Sequence, residues 1–219
     1  MAKTSAYLER GAKRAFACAV DWPGWCRSGR DEAAALEALI ASAPRFASVV
    51  SRARLGFKAP REVSDLAVGP RLRGNATTDF GAPGAVPPAD ERPVGAADLK
   101  RTGAILRACW RAFDDAVEGA RGKRLATGPR GGGRSLDAIV EHVVEAERGY
   151  LGGLGWKAPA GADSDGVRAA VLEGLAASAR GEIPARGPRG GKRWKPRFFA
   201  RRLAWHALDH AWEIEDRSR

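Results

Sequence analysis

The sequence predicts a mainly α protein in which a small α+β unit, residues 1–93, precedes a four-helix bundle, residues 94–219. Three observations carry that expectation. From Val94 onward, apolar residues recur at helical spacing through four long segments. Before that point the candidate elements are short, and residues 56–93 carry Gly and Pro throughout, as in GNATTDFGAPGAVPP. The segment KRAFACAVDWPGWCRSG alternates like two short strands around a turn at Asp21-Trp22-Pro23-Gly24.

Taken in order, the hairpin spans about Lys13 to Gly29, and Asp31 is placed to cap the helix that follows, DEAAALEALIASA. Pro44 interrupts that helix, and a second helical piece runs to about Leu55. One further strand is expected near Val63 to Leu72. In the second unit, the first helix covers roughly Ala96 to Ala120, with an apolar stripe of Leu99, Leu106, Cys109, Trp110, Phe113 and Val117. The second helix starts after a Ser135 cap and runs to about Leu154. The third spans about Ser164 to Ala179 and buries Val167, Val171, Leu172 and Leu175. The fourth begins at Pro196, a residue suited to the first helical position, and extends to about Asp216. Four such helices, none able to bury its apolar face alone, pack most economically as a bundle.

The motifs GPRGGGR at Gly128–Arg134 and GPRGGKR at Gly187–Arg193 each precede a histidine-bearing helix. Up-and-down alternation makes the second and fourth helices parallel and brings both loops to one end. Arg130, Arg134, Arg189 and Arg193 would then gather positive charge there, as a binding place for an anionic small-molecule substrate or cofactor. GPRGGGRS also has the outline of a phosphate-binding loop, but Arg134 replaces the lysine and no strand precedes it, which favours a capping role for Ser135.

Composition excludes several classes. No run of 18 or more uncharged apolar residues occurs, and the start MAKTSAYLERGAKR has no continuous apolar stretch, so neither a membrane span nor a secretory signal is expected. The net charge is +11. The basic residues are nevertheless spread along the chain without interleaved aromatics, which disfavours nucleic acid as the partner. Cys18, Cys26 and Cys109 are odd in number and lack CxxC spacing, which argues against a disulfide framework and fits a reducing cytoplasm. Asp79, in TTDFGAP, is a candidate acid or base. The oligomeric state stays open, with a homodimer among the arrangements allowed.

The sharpest motif is the pair His206 and His210, four positions apart on a strongly helical segment and therefore one turn apart on one face. Phe199, Leu203 and Glu213 share that face. His142 stands about 10 Å into the second helix and His206 about 15 Å into the fourth, so the three histidines of the chain can meet. Ala138, Ala146 and Gly149 leave space beside His142. Three neutral imidazoles with an open fourth position suit a divalent metal, zinc or nickel foremost. Asp209 and Glu213 are placed to orient an imidazole.

SLDAIVEHVVEAERGYL and RRLAWHALDHAWEIEDR resemble the second and fourth helices of the DinB family of metal-dependent helical bundles. The resemblance implies an up-and-down four-helix bundle with metal ligands at His142, His206 and His210. It also implies enzymes of the kind known in that family, thiol-dependent transferases and isomerases that use low-molecular-weight thiols such as mycothiol or bacillithiol. The metal would activate a bound thiol or water. FACAVDWPGWCRSGRDEAAALEAL resembles the start of HicB-type antitoxin folds over one short segment. The alternative it suggests is a non-enzymatic binding protein, with an antitoxin-like first unit and a purely structural bundle.

Overall fold

A computed structural model describes residues 3–127 and 133–218. The chain divides into two compact units, Met1–Arg92 and Pro93–Arg219. It is mainly helical, with a small four-stranded sheet in the first unit.

That sheet contains β1 (Thr4–Arg10), β2 (Ala15–Ala19), β3 (Cys26–Gly29) and β4 (Leu66–Arg73), in the order β3-β2-β1-β4. The expected hairpin is β2–β3, and β2 also pairs antiparallel with β1, while β4 returns to pair parallel with β1. The central β1 was not anticipated. Ala6, Tyr7, Leu8 and Glu9 are buried in succession, so this strand is covered on both faces and lacks the alternation that marks a half-exposed one. The carboxylate of Glu9 is satisfied by the Thr78 hydroxyl and by the N–H groups of Gly84 and Ala85, each about 2.9 Å away. Those bonds fasten the chain after β4 to the centre of the sheet.

The helices α1 (Glu32–Ala41) and α2 (Ala43–Ser51) follow, bent by 44° at Ser42. Asp31 caps α1 by accepting the Ala34 N–H at 2.8 Å, as expected. Trp25 ties these helices to the hairpin. Its Nε1 donates to Leu39 O and to Ser42 Oγ, and its ring stacks on Phe46. The short α3 (Ala76–Phe80) is capped by Asn75.

Cys18 and Cys26 are direct partners across β2 and β3 and form a disulfide, although their number and spacing argue against a disulfide framework. Spacing in the sequence is a poor guide here because a hairpin brings residues far outside a CxxC pattern face to face. Cys109 is the free cysteine, and burial pushes its thiol pKa up, leaving it a poor nucleophile.

The second unit consists of α4 (Ala96–Ala120), α5 (Leu136–Leu154), α6 (Ser164–Ala179) and α7 (Pro196–Arg217). Ser135 caps α5, Asp163 caps α6, and Pro196 opens α7. No single helix among the described residues is long and apolar enough to cross a membrane.

The helix directions overturn the expected alternation. Arg197, at the start of α7, bonds Pro93 O and Asp98 at the start of α4, whereas Arg217 at its end bonds Ala126 O, just past α4. α4 and α7 therefore run parallel. α5 runs against α7, because Arg217 reaches Arg134 O before α5 and Trp194 N–H donates to Gly153 O near its end. α5 and α6 run in the same direction. Arg148 bonds Ala162 O just before α6, and Trp156, past the end of α5, lies against Gly174 near the end of α6, where a Cβ would meet the ring at 2.8 Å. The segment between α5 and α6 must return along the unit, a path that helix periodicity cannot announce.

Between α4, α5 and α6 lies a buried polar group. Glu147 accepts the Trp110 Nε1–H at 2.7 Å, and Arg168 lies over the Trp110 ring while binding Asp114 through two bonds of 2.8 and 2.7 Å. Burial pushes the Glu147 carboxyl up to about 7.

Candidate metal centre

The three histidines project from two antiparallel helices. His142 lies in the first half of α5, and His206 and His210 lie one turn apart in the middle and second half of α7. Their available ligand atoms all fall within 4.8 Å of one another. His206 Nε2 and His142 Nε2 are 3.2 Å apart, and the ring centroids are separated by 5.1 Å (His142–His206), 5.0 Å (His142–His210) and 4.6 Å (His206–His210). Two ligand nitrogens on a tetrahedral ion at 2.0–2.1 Å stand about 3.3 Å apart, so the His142–His206 pair already has the spacing of a shared ion.

The depth argument from the sequence survives the reversed helix direction for a geometric reason. His206 sits near the middle of α7, so it lies at a similar depth from either end, and the turn that carries His210 meets the turn of α5 that carries His142.

The electrostatics favour the neutral form of His142 and His206, the form that ligates a metal. Burial lowers the pKa of His206 far below the ordinary histidine value, with further lowering from His210, His142, Arg202 and Arg134. His142 is lowered by burial first and then by Arg134 and His210, while Glu213 acts the other way. His206 Nδ1 is buried without a hydrogen-bond partner.

Glu213 orients the third ring. His210 Nδ1 lies 2.8 Å from Glu213 Oε2, which leaves His210 Nε2 for a ligand bond. That hydrogen bond, ahead of the ion pair with Arg217, holds the Glu213 carboxyl below the usual glutamate range. Glu213, one of the two carboxylates weighed from sequence, thus meets an imidazole.

Tyr150 stands edge-on to His206 at 5.6 Å between ring centroids, and the Arg202 guanidinium lies over Tyr150 and Trp205 at 5.5 and 5.0 Å. The sequence reading missed this group. Arg202 precedes His206 by one turn and was findable from helical spacing, and Tyr150 stands on the other helix, about two turns beyond His142.

Among the described residues, Arg134, Arg189 and Arg193 do not converge. Arg134 acts on His142 and His206 from the C-terminal end of α7. Arg189 and Arg193 lie before the N-terminus of α7, so the expectation that both basic loops share one end is corrected. The chain there forms a small turn, in which Gly187 N–H donates to Gly191 O and Arg193 N–H to Ala185 O. Arg130 lies outside the described residues. Asp79 is committed within the first unit, where it accepts the Lys13 N–H at 2.8 Å, a bond that lowers its pKa.

Compared with protein-family models, with curated proteins and with solved structures, the chain matches none.

Proposed function

We propose that the second unit holds one divalent metal ion on His142, His206 and His210 and works as a metal-dependent enzyme of the DinB type, a transferase using a low-molecular-weight thiol. The observation that carries the reading is the approach of three imidazoles to within ligand distance of one another, with one ring oriented by a carboxylate. Zinc or nickel suits this donor set. An ion held there supplies Lewis acidity, lowering the pKa of a thiol or water at its open position.

The remaining roles fall to the chain. Glu213 fixes the tautomer of His210. Arg134 and Arg202 place positive charge around the histidines, which favours an anionic small molecule over a cationic one. A thiol bound there would give up its proton to solvent, its sulfur would attack an electrophilic carbon, and the leaving group would depart with the bonding electrons.

The test is conjugation of mycothiol or a simpler thiol to a small alkylating electrophile. Zinc-loaded protein is expected to accelerate it, and His142→Ala to remove the acceleration while retaining the helical circular-dichroism spectrum. Should calorimetry detect no thiol binding to the metal-loaded protein, the thiol reading fails and activation of water becomes the better account.

A further inference from the structure

We propose that Arg217 is a positioning residue for the histidine cluster, coupling metal affinity to the backbone hydrogen bonds it makes at Ala126 and Arg134. The proposal rests on the metal reading of that cluster. An arginine in the last turn of a helix ordinarily serves the helix dipole and the terminal carbonyls. Arg217 does something more specific. Its guanidinium is largely buried and donates in three directions: Nη1 to Glu213 Oε1 at 2.6 Å, Nε to Ala126 O at 2.9 Å, and Nη2 to Arg134 O at 2.8 Å. The Arg217 carbonyl in turn accepts the Ala126 N–H at 2.8 Å.

The other oxygen of Glu213 holds His210 Nδ1 at 2.8 Å. One carboxylate therefore bridges the guanidinium and the imidazole, and a continuous path of charge-assisted hydrogen bonds joins a ligand ring to two backbone carbonyls. Gly133 preserves room for this fork, since a Cβ there would come within 2.5 Å of Arg217 Nη2. Only a planar group with donors in fixed directions can serve all three acceptors at once, which a lysine ammonium on a flexible stem does not match.

Fixing Glu213 fixes the tautomer and the rotation of His210, so metal affinity depends on Arg217. Thermodynamic linkage makes the dependence reciprocal: an ion on His210 must tighten the bonds that Arg217 makes to Ala126 and Arg134.

The experiment titrates zinc into metal-free full-length protein, wild type and variants, and follows amide exchange at Ala126. Arg217→Gln is expected to weaken zinc binding about tenfold, in the range seen when groups supporting a ligand are removed. Glu213→Gln is expected to do the same, and the double variant to be no weaker than Glu213→Gln alone, because both act through one path. Zinc should slow exchange of the Ala126 amide in wild type and not in Glu213→Gln. Gly133→Ala, which crowds the guanidinium without removing it, gives a milder version should Arg217→Gln fail to fold. If Arg217→Gln or Gly133→Ala loses thermal stability yet binds zinc as tightly as wild type, Arg217 is only a terminal cap and the proposal is overturned. If wild type itself binds no zinc, the metal reading falls first and takes the proposal with it.

Discussion

Replacing His206 or His210 by alanine is expected to lower zinc affinity by about a hundredfold or more. Structural zinc sites bind with roughly 10–16 kcal/mol shared among four ligands, so one imidazole accounts for about 3 kcal/mol of it. The loss should exceed that caused by changing Glu213, which acts on the ion only through His210. His206→Ala should also reduce stability, because its ring is buried and packed against Tyr150 and the other two histidines. His142 is less buried, so His142→Ala separates metal affinity from stability more cleanly. Arg189→Ala is the internal control. Arg189 lies at the far end of α7 from Arg134, and its replacement should leave zinc affinity unchanged.

A second large effect concerns Glu147 and is independent of metal. Its carboxyl titrates near 7 in the folded protein against 4.5 as the ordinary value, because burial penalises the charged form more than the Trp110 hydrogen bond and Arg168 favour it. Folded protein therefore holds a proton that unfolded chain has released, and stability falls as pH rises from about 4.5 through about 7, then levels off. The shift corresponds to about 3 kcal/mol. Glu147→Gln keeps the shape and an acceptor for the Trp110 N–H but does not titrate. The variant should match wild type at pH 4.5 and gain on it through the pH window, exceeding it at pH 8 by about 3 kcal/mol in denaturant unfolding. A difference independent of pH would show that the carboxylate is accommodated in its charged form. Histidine and metal effects cancel in this comparison, since both proteins carry the same cluster.

The parts legible in the sequence were those that depend on local rules. Helix boundaries in the second unit followed from caps and periodicity, with Ser135 and Pro196 where the structure places them. His206 and His210 shared a face because four residues make about one turn. Long-range choices were not legible. β1 hid because burial on both faces removes the alternation that betrays a strand, and Cys18–Cys26 followed from strand pairing rather than spacing. Alternation of the helices failed because the chain between Gly155 and Asp163 runs back along the unit, and that error alone misplaced Arg189 and Arg193. The contact between Glu213 and Arg217 was open to the same spacing rule that found the histidines, since they stand four apart on the face of His210.

Metal content tests the central claim most directly. Protein purified without chelator and without an affinity tag, then dialysed against metal-free buffer, is expected to carry close to one divalent ion per chain by elemental analysis. The ion should be lost when His142, His206 and His210 are all replaced. Protein that arrives metal-free and takes up neither zinc nor nickel on titration would contradict the account, leaving the three histidines as a packed cluster without a ligand.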